Sequence, residues 1–141
     1  MSIPETFAAA FNRRDVDGLL ALFTDGASYD DLFFGPHAGR DELRAMFDRM
    51  FHEGRDYTWS MTAAVEDGRR AAAEWAFSYT VSDAIPRSEG RKVRFGGMSL
   101  FELENGKIRA YREYANVGVA LLQLGFTPQA LAKVLSRSLP S

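Results

Sequence analysis

Leu103-Glu104-Asn105-Gly106-Lys107-Ile108-Arg109-Ala110-Tyr111-Arg112-Glu113-Tyr114 reads as the end of one strand, a two-residue turn and a second strand. Asn-Gly is the strongest short hairpin signal, because both residues tolerate the positive φ of a type I′ turn. In the strand that follows, Tyr111, Glu113 and Ala115 share one face, and Ala110, Arg112 and Tyr114 share the other. Glu113 therefore sits on the same side as an aromatic ring and a methyl group. Its carboxylate needs either a pocket that uses it or a surface partner such as Arg109 or Arg94.

The stretches before this hairpin have the same period-two character. Tyr57 to Val65, Arg69 to Val81 and Arg91 to Leu103 read as half-buried strands, separated by Asp67-Gly68 and by a polar segment from Ser82 to Gly90. Within them Trp75, Phe77 and Tyr79 share one phase, as do Phe95, Gly97, Ser99 and Phe101. Gly96-Gly97 either leaves room for a flat ligand or marks a β-bulge.

Ahead of the strands the period is helical. Ser2-Ile3-Pro4-Glu5 has the spacing of a capping box, and Ile3, Phe7, Ala10 and Phe11 follow on one face of a helix that ends near Asn12. Asp15 caps a second helix with Val16, Leu19, Leu20 and Phe23 inward, stopped by Thr24-Asp25-Gly26. A short strand from Ala27 to Asp31 and a loop from Gly35 to Gly39 lead into a third helix, which starts at Asp41 and buries Leu43, Met46, Phe47 and Met50. The tail reads as two helical pieces split at Gly125, the second capped by Thr127 with Pro128 in its first position. Helices followed by a strand meander predict an α+β fold, a single domain over residues 1–141, with the helices covering one face of a curved, mostly antiparallel sheet.

Composition narrows the function. The chain of 141 residues is 46% hydrophobic and 26% charged, which is ordinary for a globular domain that buries its own core. Its formal net charge of -2, with Lys and Arg scattered, offers no basic stripe for nucleic acid. Cysteine is absent, and His37 and His52 are too far apart to form a local ligand pair, so no metal or cofactor is expected. The N-terminus lacks the pattern of a signal peptide and no stretch is long enough to span a bilayer, so the expected location is the cytoplasm. Aromatic residues make up 13%, including 11 Phe, which implies a large aromatic core or an aromatic-lined cavity.

Two acidic positions stand out. Besides Glu113, Tyr29-Asp30-Asp31 opens onto Leu32-Phe33-Phe34. Adjacent strand residues face opposite ways, so Asp30 is expected in solvent. Asp31 serves either as a turn and cap acceptor or as an acid/base group. His37, in its Gly-Pro loop, is an exposed residue or a gate and proton shuttle.

Five phrases in this order resemble the SnoaL-like branch of the nuclear transport factor two-like, or ketosteroid isomerase-like, superfamily. They are Phe11-Asn12, Asp15-Val16-Asp17-Gly18-Leu19-Leu20-Ala21-Leu22-Phe23, Gly39-Arg40-Asp41-Glu42-Leu43, Asn105-Gly106-Lys107-Ile108 and Tyr111-Arg112-Glu113-Tyr114. The resemblance implies a cone-shaped sheet enclosing an apolar pocket, and commonly a homodimer formed through the sheet face. It places Asp31 on the general-base position of ketosteroid isomerases, with Phe7 and Ser99 where that site has a tyrosine and a protonated aspartate as oxyanion donors. Against limonene-epoxide hydrolases it places Tyr29 and Glu113 on a water-holding tyrosine and one carboxylate. Asp31 then replaces a water-holding asparagine, and Trp75 and Phe77 replace the arginine and second aspartate. Against polyketide cyclases, Glu113 matches the acidic group of the last strand.

These readings predict a cofactor-independent enzyme using Asp31 and Glu113 as general acid and base on a hydrophobic carbonyl or polyketide-like compound, of isomerase or cyclase type. Tyr29, Ser99 and Tyr79 are expected to orient the substrate oxygen, and Trp75, Phe77, Phe95, Met98 and Tyr111 to bind or shape around the substrate. Residues Leu121 to Leu135 are expected to form a lid or a dimer element. The alternatives are an epoxide hydrolase and a binding module that holds a hydrophobic molecule or a protein partner without catalysis.

Overall fold

The computed structural model describes residues 1–141. In chain order the elements are α1 (Ile3–Asn12), α2 (Val16–Leu20), β1 (Phe23–Asp31), β2 (Gly35–Ala38), α3 (Arg40–Glu53), β3 (Gly54–Glu66), β4 (Arg70–Val81), a 3₁₀ turn (Pro86–Ser88), β5 (Lys92–Glu104), β6 (Lys107–Ala115), α4 (Val117–Gln123) and α5 (Pro128–Ser136). The α+β class is as the pattern predicts.

The strands form one open six-stranded sheet in the order β2-β1-β6-β5-β4-β3. β3 to β6 are an antiparallel meander, whereas β1 lies parallel to β6 and carries β2 on its outer edge. The long strand β3 shifts register against β4 between Arg55 and Thr58 and again between Thr62 and Val65, and Asp56 and Ala63 take positive φ at those shifts. Such bulges bend a strand and curl the sheet toward a cone. No helix is long and apolar enough to cross a membrane.

The helices close the concave side. The capping box forms as expected, with Glu5 N–H donating to Ser2 Oγ and Ser2 N–H to Glu5 Oε1. This starts α1, which buries Phe7, Ala8, Ala10 and Phe11 against the sheet. α3 buries Leu43, Met46, Phe47 and Met50, and β3 starts directly at its C-cap, Gly54. The Phe excess divides between the two roles expected for it. Phe7, Phe23, Phe47 and Phe101 are fully buried core, whereas Phe33, Phe34, Phe77, Phe95 and Phe126 line a cavity.

Three local expectations are corrected. Phe23 opens β1 instead of closing α2, because its pairing with Ile108 on β6 buries both rows together and overrides the Thr24-Asp25-Gly26 stop signal. Gly35 to Ala38 is an edge strand rather than a loop; Pro36 is tolerated there because an edge residue need not donate to a neighbour. Gly96-Gly97 is not a bulge, and Gly97 makes room for the Trp75 ring and the neighbouring strand rather than for a ligand. The register through the pair is regular, and a side chain at Gly97 would meet Tyr114 O at 2.6 Å and the Trp75 ring at 2.7 Å.

Candidate active site

The wide end of the cone holds a cavity of about 790 Å³, lined by 29 residues of which 19 are hydrophobic. This volume suits one small organic ligand. The parallel pairing of β1 and β6 brings two acidic residues to its wall. Tyr29 lies opposite Tyr111 and Asp30 opposite Arg112, so the next position on each strand is Asp31 and Glu113. Both line the cavity. Asp30 faces solvent, as alternation predicts.

Glu113 is held by a chain of hydrogen bonds whose direction is fixed at its far end. Trp75 Nε1–H can only donate, and it does so to Ser99 Oγ at 2.9 Å. The Ser99 hydroxyl is then free to donate to the Tyr111 hydroxyl at 2.8 Å, which in turn donates to Glu113 Oε1 at 2.7 Å. Tyr29 adds a long contact of 3.5 Å to the same oxygen, and the Leu32 N–H donates to Oε2 at 3.1 Å. The rings of Tyr29 and Tyr111 stack at 4.3 Å, and Phe7 packs on Tyr111 at 5.3 Å. What remains exposed of Glu113 opens into the cavity, and Arg109 pairs with Glu102 instead, so the surface-pair reading of Glu113 does not hold.

Asp31 combines its two predicted roles. Its Oδ2 accepts the N–H groups of Phe33 and Phe34 at 2.9 and 3.0 Å, which turns the chain, while the side chain borders the cavity. His37 is half-buried on β2 beside Tyr29 in register, and its Nδ1 engages Gly35 O at 3.0 Å. It does not line the cavity.

Both carboxyls are perturbed in the same direction by unequal amounts. Burial pushes Glu113 well above the usual carboxylate range and the charge of Asp31 pushes it further, against the hydrogen bonds from Tyr111, Leu32 and Tyr29. Burial also raises Asp31, opposed by the Phe34 and Phe33 N–H groups and by His37. The repulsion between the two carboxylates is mutual, and it falls on whichever ionises second. Asp31 loses its proton first, while Glu113 is still neutral, and Glu113 must then ionise beside an existing charge. Burial foremost, and then the charge of Glu113, keeps Tyr29 and Tyr111 neutral far above their ordinary range, so both remain donors.

The predicted site residues thus separate into two layers. Asp31, Glu113, Trp75, Phe77, Tyr79 and Phe95 border the cavity. Tyr29, Ser99 and Tyr111 do not: they are buried behind Glu113 and hold it, so the expectation that they touch substrate is corrected. Met98 is also corrected, since it is on the convex side and 48% exposed. Tyr79 stacks on Tyr57 at 5.1 Å, and burial pushes its phenol up to about 12, which leaves a neutral donor at the cavity wall. The tail falls where a lid would, with Leu121, Leu124, Phe126, Ala130 and Val134 over the cavity. The sequence reading missed Tyr57, Trp59 and the arginines of the mouth. Trp59 was recoverable from strand phase, since it shares the phase of Tyr57 and Met61.

A profile of the SnoaL-like domain matches residues 5–111. No protein of curated function matches the chain by sequence. Several solved structures share the fold. A proposed polyketide cyclase from Xanthomonas campestris pv. campestris is 22% identical with a TM-score of 0.72, covering 86% of this chain and 93% of its own. A hypothetical protein with a ketosteroid isomerase-like fold from Catenulispora acidiphila, in complex with trimethylamine, is 19% identical with a TM-score of 0.75, covering 89% and 97%. An LEH-like epoxide hydrolase from M. tuberculosis is 21% identical with a TM-score of 0.71, covering 95% and 93%.

Proposed function

The chain belongs to the SnoaL-like family, and from that premise we propose that it is an enzyme of isomerase or cyclase type, working by carboxylate acid/base catalysis on a hydrophobic carbonyl compound. The observation that carries this reading is the unequal carboxyl pair on one apolar wall: Asp31, which ionises first, and Glu113, which holds its proton longer. Asp31 takes a proton from the carbon next to a carbonyl, and Glu113 gives its proton to the carbonyl oxygen, leaving an enol. Glu113 then takes its proton back from the enol oxygen. The proton on Asp31 goes either to the far carbon of a conjugated dienol, which moves the double bond, or to the oxygen of a second carbonyl that the enol carbon attacks, which closes a ring. Each positioned group contributes roughly 10² to 10⁴ in rate. Tyr79 is a further donor for the substrate oxygen, while Trp75, Phe77 and Phe95, packed edge to face on one another, give its flat body an aromatic wall.

The lack of a charged residue at Trp75 and Phe77 argues against water activation of the epoxide hydrolase kind, which needs a network of charges there. It equally favours a second reading, a module that binds a hydrophobic molecule without acting on it. Thermal stabilisation by flat phenols, which imitate an enol, separates the two. A ligand at a hundred times its dissociation constant adds about 2.7 kcal/mol. Under the enzyme reading Asp31→Asn and Glu113→Gln both change phenol binding and abolish turnover of the related ketones. Stabilisation indifferent to both substitutions establishes the binding module instead.

A further inference from the structure

The mouth of the cavity is charged in a way that its interior is not. Arg87 on the 3₁₀ turn, Arg91 just before β5 and Arg137 at the C-cap of α5 come from three separate segments and all border the opening. The ion pairs of the protein engage Arg13, Arg40, Arg44, Arg49, Arg55, Arg109 and Arg112, and none of the three mouth arginines. The acid that shares the mouth, Glu53, is held by Arg49 at 3.2 Å. Three positive charges therefore face the entrance without an acidic partner.

Arg91 also lies against the turn that precedes α5. Gly125, in the turn between α4 and α5, has a φ of +88°, and a Cβ there would lie 2.8 Å from the Arg91 guanidinium carbon. The guanidinium is thus laid on the bare backbone of the turn, in space that any other residue would fill. The capped first turn of α5, with Thr127 and Ala130, borders the same opening and adds the partial positive charge of a helix start. At the opposite end, the carboxylate of Asp31 repels an anion, so a ligand bearing one enters with its charge outward.

We propose that the natural ligand is an amphipathic anion whose carboxylate or phosphate is gripped by Arg87, Arg91 and Arg137, and whose flat apolar body reaches inward to Asp31 and Glu113. This rests on the reading of the cavity as a small-molecule site and names the class of molecule it takes. Arginine suits the task because its planar fork meets either anion with two parallel hydrogen bonds. The grip also fixes orientation, since one charged end at the mouth leaves only the other end for the carboxyl pair.

The test compares three fluorescent probes of equal ring size: anthracene-2-carboxylate, its carboxamide and 2-anthryl phosphate. The wild type is expected to bind at least one anion about tenfold more tightly than the amide, and that preference is expected to shrink as sodium chloride is raised. Arg87→Gln with Arg137→Gln alters only exposed side chains and is expected to remove most of the preference. Arg91→Gln, tested separately because it touches the Gly125 turn, is expected to remove more. Whether carboxylate or phosphate ranks first identifies the anion. Equal binding of acid and amide, a preference that survives the substitutions, or no binding of any probe overturns the proposal. Its failure is distinguishable from that of the acid/base reading. An anion preference retained in a protein indifferent to Asp31→Asn and Glu113→Gln leaves this inference standing and removes catalysis.

Discussion

A proton on Glu113 has consequences for stability as well as chemistry. An unfolded glutamate ionises at about pH 4.3, whereas in the folded protein burial and the charge of Asp31 hold the proton on to a higher pH. Below both values each state carries the proton and nothing is lost. Between them the folded state binds a proton that the unfolded state has released, so stability falls as pH rises and the loss is complete above the folded value. Glu113→Gln cannot titrate, and the wild type should therefore lose stability relative to this variant by up to about 1.4 kcal/mol per pH unit across that window. Urea denaturation of both proteins from about pH 5 to about pH 8 checks this; a constant difference would mean that Glu113 behaves as a solvated acid. The sequence exposed this residue, and Asp31, because each is a charge placed in an apolar phase. It did not expose the layer behind them. Ser99 and Tyr111 share the inward face with cavity residues, and alternation reports the face but not the depth along a cone whose narrow end is solid and whose wide end is open. The partner that commits Ser99 lies 24 residues away, on the neighbouring strand.

Among the elements, those defined by their own residues were the legible ones. The capping box of α1, the Thr127-Pro128 start of α5 and the Asn105-Gly106 turn all carry their reason locally. β2 and the first residues of β1 do not, since Gly35 to Ala38 is extended only because β1 offers it an edge, and Phe23 is drawn in by Ile108. The helix α5 shows the same division in its function. It is amphipathic in sequence yet buries no residue fully, and its inward side chains Ala130 and Val134 meet the cavity rather than the core. An element that covers an opening without completing a core should be dispensable for folding and needed for retention. Truncation after Phe126 is therefore expected to change unfolding free energy by no more than about 1 kcal/mol, as surface changes do, while the dissociation rate of a bound phenol or anthracene probe rises by about tenfold. Stopped-flow displacement measures that rate. An unchanged rate would show that α5 is not a lid, and a collapse of stability would make it part of the core.

At the scale of the whole molecule, the curled sheet presents two unlike surfaces. Its concave side is filled by the aromatic core and the cavity, and its convex side faces outward with Met98 and Tyr114 paired across β5 and β6 at 48% and 62% exposure. The helix α4, packed on β5, also exposes Val119 and Leu122. Large apolar side chains gathered on one side of a small domain are better covered than left in water. We propose that two copies pair through this convex face, which agrees with the dimer implied by the family resemblance. A stable pairing of this kind needs roughly 800 Å² from each partner, and the outer surface of β4, β5 and β6 would supply it. Trp75, Phe77, Phe95 and Glu113, which line the cavity, alternate with the outward residues and point to the other face of these strands. Sedimentation at micromolar concentration is expected to give twice the 15.7 kDa of one chain. Met98→Lys combined with Tyr114→Lys places like charges opposite one another in an interface that must be dry, and is expected to give a folded monomer. A monomeric wild type sinks the proposal, whereas a dimer that tolerates both lysines moves the interface elsewhere on the surface.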